Sequence, residues 1–129
     1  MAFLTGACTE KYIPEPNQVA FATDLWGWSY YISYDEDWVP VYQLGTTDTE
    51  IDHYIYFHVD TINSTGKEGT DFYFPEGDSL LIEKNKYLGY IKIRRSNNPE
   101  ILSPRVLIIL DGNDIIEPKK GMDRCFILF

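Results

Sequence analysis

His53-Tyr54-Ile55-Tyr56-Phe57-His58-Val59 decides the fold class. Ile55, Phe57 and Val59 recur at every second position, with Tyr54, Tyr56 and His58 between them. That period puts one set on each face of an extended chain, so the stretch predicts a strand with one buried face. A helix would need apolar residues at i, i+3, i+4 and i+7 over about three turns. No segment of this chain keeps that spacing.

The same signal recurs on either side. Leu88–Arg94 sets Ile91 and Ile93 opposite Tyr90, Lys92 and Arg94. Arg105–Leu110 is a continuous apolar run, the mark of a strand buried on both faces. Gln18–Thr23, Trp28–Tyr34, Trp38–Leu44, Thr70–Phe74, Ser79–Ile82 and Cys125–Phe129 complete the expected strands. Turn formers separate them: Asp35-Glu36-Asp37, Gly45 to Glu50, Asn63 to Gly69, Pro75-Glu76-Gly77-Asp78, Asn97-Asn98-Pro99 and Asp111-Gly112-Asn113-Asp114. Seven to nine short strands at this spacing predict an all-β sandwich over residues 18–129. Thr9 to Gln18 is polar and carries Pro14 and Pro16, so residues 1–17 are expected to form a flexible tether.

At 129 residues and 44% hydrophobic, the chain is one domain able to bury a core. No run reaches the ~20 apolar residues of a membrane-spanning helix. The net charge of −9 argues against a sequence-independent nucleic-acid binder, whose phosphate contacts need clustered Lys and Arg. The charge is uneven. Residues 1–78 carry 14 acids against 2 bases, and residues 79–129 carry 6 acids against 9 bases. Two unlike solvated faces are the expected result.

No catalytic constellation stands out. His53 and His58 are an odd number of residues apart on one strand, so they face opposite ways and cannot share a metal. Two Cys and two His, scattered, do not make a zinc site. No phosphate loop is present. The chain is therefore expected to be no enzyme and to carry no cofactor. Two oxygen-rich turns are the calcium candidates, Asp35 with Asp37 and Asp111 with Asp114. Neither matches an EF-hand, and solvated turns are the expected reading.

Trp26, Trp28, Tyr30, Tyr31, Tyr34 and Trp38 fall within thirteen positions. Trp28, Tyr30, Ile32 and Tyr34 share one strand face and Tyr31 takes the other, so some of these rings must be core. Trp26, Trp28, Tyr31 and Trp38 are the candidates for stacking on a sugar face.

Leu4-Thr5-Gly6-Ala7-Cys8 resembles a bacterial lipobox, in which small residues precede a Cys that receives a diacylglycerol. The resemblance implies lipidation at Cys8. Only seven residues precede Cys8, none of them Lys or Arg, whereas a signal peptide has a basic start and an apolar stretch of ~7–15 residues. A longer precursor is the expectation that fits. One disulfide could join Cys8 and Cys125 at the two ends, but sequence spacing cannot establish it.

From Val39 the order of features becomes more specific. Val39-Pro40-Val41-Tyr42-Gln43-Leu44-Gly45 is followed by Ile55 to Asp60, then Gly69-Thr70-Asp71-Phe72, then Leu80-Leu81-Ile82. Gly89-Tyr90-Ile91-Lys92-Ile93 and Val106 to Leu110 with Asn113-Asp114 complete the succession. It resembles a Calx-beta-type, immunoglobulin-like sandwich. With Cys8, the chain resembles a family of Bacteroidota surface lipoproteins often encoded beside SusC/SusD-type nutrient uptake systems. Family members are typically longer, with a further β-rich half.

The resemblance implies a non-catalytic, lipid-anchored protein of the outer-membrane surface, an accessory subunit of a glycan or peptide uptake complex. Its partner would be a SusC/SusD-type complex, its contact with the membrane only the anchor, and nucleic acid no partner. Two alternatives stand beside it. One is a carbohydrate-binding module using exposed aromatics. The other is a virion or adhesion component without a lipid. The apolar ending Cys125-Phe126-Ile127-Leu128-Phe129 is expected to be either a last core strand or an edge that pairs with another chain.

Overall fold

The computed structural model describes residues 17–21, 29–32, 35–45 and 50–129. Cys8, Trp26, Trp28 and Tyr34 lie outside the described residues.

Ten strands form among the described residues: β1 Gln18–Phe21, β2 Ser29–Tyr31, β3 Glu36–Leu44, β4 His53–Asp60, β5 Phe72–Tyr73, β6 Ser79–Ile82, β7 Leu88–Arg95, β8 Arg105–Gly112, β9 Glu117–Pro118 and β10 Arg124–Leu128. The count exceeds the expected seven to nine because two-residue strands are included. β9 was not foreseen; two residues containing a Pro leave no alternation to read.

The strands form two five-stranded sheets. One runs β5-β7-β3-β1-β9 and the other β2-β10-β8-β4-β6. Antiparallel ladders dominate, but β9 joins β1 in parallel, and β2 joins β10 in parallel. The two sheets meet through the alternation already visible in sequence. Val39, Val41, Ile91 and Ile93 point inward from the first sheet. Ile55, Phe57, Val106, Ile108 and Ile127 point inward from the second, and all belong to one core. Removing such a residue, as in Ile93→Ala, typically costs about 2–5 kcal/mol.

β8 matches its apolar run, because Leu107 on the outer face is buried as well as Val106, Ile108 and Leu110. Phe126 of β10 lies directly opposite it.

Two expectations need correction. Asp35-Glu36-Asp37 is not a turn throughout, because β3 begins at Glu36 and pairs with Arg94. The apolar C-terminal strand is not an open edge. β10 lies between β8 and β2, with Cys125 and Ile127 buried. From Phe126 to Leu128 its backbone is paired on both sides, so of the two readings the core strand holds and the open edge does not.

β6 crosses close to β7 at Gly89. A methyl group there would sit 2.6 Å from Leu80 Cδ1 and 2.7 Å from the Leu81 carbonyl oxygen. Glycine is what lets the outer surfaces of the two sheets run together at this margin.

Candidate functional site

β3 and β7 pair with Trp38 opposite Lys92 and Pro40 opposite Tyr90. Their inward neighbours are core residues, so strand alternation sends Trp38, Tyr90 and Lys92 to the outer face. Trp38 is 52% exposed and Tyr90 45%. Their ring centroids lie 6.0 Å apart, tilted by 52°. The twist of adjacent strands accounts for rings that step rather than lie flat.

Lys92 Nζ sits 5.6 Å from the centre of the Trp38 ring. Glu36 offers one oxygen to Lys92 at 3.6 Å and the other to Arg94 at 3.7 Å. Trp38, Tyr90 and Lys92, with Leu81 and Glu76, enclose a depression of about 200 Å³. Leu81 belongs to the second sheet, where it lies opposite Tyr54. The apolar surface therefore passes from β3 across β7 and β6 to β4, where Tyr54 and Tyr56 are half-exposed.

Tyr31 is 67% exposed, but it stands on β2 in the second sheet. Tyr31 and Trp38 do not form a single row. Tyr30 and Ile32, on the opposite face of that strand, pack into the core as the spacing predicts. The Tyr30 hydroxyl donates to the Trp38 carbonyl at 3.3 Å. Burial first, and the nearby Asp37 second, raise its pKa above the ordinary phenol value. Sequence reasoning did not single out Tyr90, although its place opposite Ile91 and Ile93 already put it on an outer face.

The carboxylate candidates do not converge. Asp35 and Asp37 flank the start of β3, and Asp111 and Asp114 lie at the far end of β8, at the opposite end of the sandwich. Asp37 Oδ1 accepts the Trp38 N–H at 2.8 Å. Asp111 accepts from His58 Nδ1 at 2.9 Å. Among the described residues no three His, Cys, Asp or Glu come together as a metal site would need.

Asp71, outside those pairs, has a different setting. It is buried, and its carboxylate accepts three backbone N–H groups, from Lys67 at 2.8 Å, Glu100 at 2.8 Å and Ile101 at 2.9 Å. These bonds, Lys67 and Ile101 first, hold its pKa below the usual carboxylate range. With its lone pairs so used, Asp71 is a clasp between two loops.

A second concavity, about 690 Å³, opens beside β4. Phe57, Val59 and Phe74 line it, with Lys67, Glu68 and Asp78 at its rim. Phe57 and Phe74 meet edge to face at 5.0 Å. β6 pairs with β4 only from His53 to Tyr56, and Asp78 O accepts the next bond, from Phe57 N–H at 3.1 Å.

His58 is hydrogen-bonded, among the described residues, to Asp111 alone. Ser64 Oγ donates to Asp60 O at 2.6 Å and accepts from Leu107 N–H at 2.9 Å. Thr65 Oγ1 accepts from Arg105 N–H at 2.8 Å. Both hydroxyls stitch the 61–66 loop to β8, and neither is aligned by a base. Cys125 is a free, buried thiol whose pKa burial pushes up to about 12.

No family model matches the chain. No curated protein sequence matches it either. Solved structures do. The apo-form Calx CBD1 domain superposes with a TM-score of 0.60 at 16% identity, over 88% of this chain and 96% of that one. CBD12 from CALX1.2 superposes with a TM-score of 0.53 at 15% identity, over 86% of this chain and 44% of that one. At these identities the likeness is one of fold: the chain is an immunoglobulin-like β-sandwich of the Calx-beta type.

Proposed function

We propose that the chain is a non-catalytic binding domain of the bacterial cell surface that holds a neutral glycan on the outer face of β3 and β7. The observation that carries this reading is the exposed Trp38–Tyr90 pair beside a depression with one cation and one carboxylate on its rim. A sugar ring has an apolar C–H face and a hydroxyl edge. The ring faces of Trp38 and Tyr90 complement the first, and Lys92 and Glu76 can hydrogen-bond the second. Glu36 is already shared between Lys92 and Arg94. The face carries no excess charge to favour an ionic ligand.

The address rests on sequence. Leu4 to Cys8 supports a lipid anchor, and the family resemblance supports a place beside a SusC/SusD-type uptake complex at the outer membrane. A tethered sandwich would raise the local concentration of glycan, or of itself, at such a complex.

A glycan array probed with the full chain tests the binding role. Retention of neutral glycans is expected. Trp38→Ala and Tyr90→Ala should each weaken binding at least tenfold while leaving the melting temperature within a few degrees. Full retention by both variants would remove this face from the reading. Metabolic labelling with a fatty acid, comparing the precursor with Cys8→Ser, tests the anchor.

A further inference from the structure

β4 is an interior strand only along half its length. Beyond Tyr56, among the described residues, no strand pairs with it on the β6 side. Phe57 N–H points to that side, where it meets Asp78 O. Backbone groups alternate along a strand, so Val59, also in β4, directs its N–H and C=O the same way, toward the 690 Å³ cleft that it lines. The even residues serve β8, where His58 lies opposite Ile109 and Asp60 opposite Leu107. The cleft thus has a short strand edge on one wall, the backbone of Val59 next to the Phe57–Asp78 bond, and the Phe57–Phe74 pair as its apolar floor.

A strand edge of this kind is matched by another extended backbone that continues the pairing begun at Asp78. A sugar or a small planar ligand would not reproduce its spacing. The rim adds a charge preference. Glu68 and Asp78 are exposed and, among the described residues, make no ion pair, against the single cation Lys67.

We propose that this cleft receives an extended peptide segment of a partner protein, added as a strand beside β4. Apolar side chains would rest on Phe57 and Phe74, and basic side chains between them would face Glu68 and Asp78. The site is separate from the Trp38 face, so the two readings stand or fall independently.

The test is amide hydrogen exchange and NMR titration on the full chain, with a synthetic ten-residue peptide alternating Val and Lys. Saturation should slow exchange of the Val59 amide at least tenfold. The same peptide N-methylated at alternate amides should lose binding, because one edge of its backbone is blocked. A Val–Glu peptide should bind at least tenfold more weakly, and Glu68→Lys with Asp78→Lys should reverse that preference. A Val59 amide as slow as that of Phe57 in the free chain would overturn the proposal, since the edge would already be occupied. Protection that appears only as the free chain dimerises would also overturn it, giving the edge to a second copy. Absent binding, or binding indifferent to N-methylation, would overturn it too.

Discussion

Asp71 Oδ1 accepts the backbone N–H of Ile101 at 2.9 Å, joining two loops thirty positions apart. The other oxygen holds Lys67 N–H in its own loop. One carboxylate therefore fixes the crossing from the second sheet to the first and, at the same point, the connection from β7 to β8. The loop beside it, which bounds the β4 cleft, is fixed independently by Asp60. That residue accepts from Ile62 N–H, Asn63 N–H and the Asn63 side-chain amide.

Acid should loosen this end of the molecule first. Asp71 and Asp60 both have folded pKa values below their ordinary ones, Asp71 through the Lys67 and Ile101 amides and Asp60 through the Asn63 side chain. A depressed folded pKa means stability that is complete above the unfolded value of about 3.9 and lost as pH falls through the folded value. Thermal melts should therefore be level near neutral pH and decline below about pH 4. Asp71→Asn should lower the melting temperature by roughly 5–10 °C at pH 7 and flatten the acid limb. An unchanged acid limb would assign the decline to other carboxylates.

Gly89→Ala should be destabilising although it adds one methyl group. That methyl meets Leu80 Cδ1 at 2.6 Å and the Leu81 carbonyl oxygen at 2.7 Å, and the carbonyl cannot rotate away. A cost of about 1–3 kcal/mol is expected from urea denaturation, with the slope unchanged. Because β6 carries Leu81 against the Trp38 depression, glycan affinity should fall in the same variant.

Cys125 should ignore thiol reagents in the native state. Its pKa of about 12 leaves almost no thiolate at pH 8. In a Cys8→Ser background, Ellman's reagent should react only as the protein unfolds, at the unfolding rate. Fast labelling of native protein would mean that β10 opens readily.

Glu36→Gln should matter little to stability. Its contacts with Lys92 and Arg94 are long, 3.6 and 3.7 Å, and Arg94 is half exposed. Pairs of this kind are typically worth under about 1 kcal/mol and weaken with salt. The expected change is within about 0.5 kcal/mol by chemical denaturation. Releasing Lys92 should instead shift binding at the Trp38 face toward acidic glycans.

The strands that alternate were legible: β4, β7 and most of β3 fall where Ile55, Ile91 and Val41 put them. So was the split around β2 into core-facing Tyr30 and Ile32 and exposed Tyr31. Sheet membership was not legible, because it depends on pairings between distant segments rather than on local period. Tyr31 and Trp38 are seven residues apart in sequence and belong to different sheets, whereas Trp38 and Tyr90 are neighbours across fifty-two. For the same reason four carboxylates read as two turns lie at opposite ends of the sandwich. Asp71 was part of the motif that suggested the fold, yet its role depends on the amides of Glu100 and Ile101, which no local pattern announces.

The parallel pairing of β2 with β10 bears on the order of synthesis. Tyr31 lies beside Leu128, ninety-seven positions later. A chain emerging from the ribosome, or crossing a membrane from its amino end, presents β2 long before its neighbour exists. The second sheet can close only once residue 128 has emerged, and contacts this distant in sequence form slowly. Until then β8 carries an open, strongly apolar edge. In that interval the chain most needs a holding chaperone.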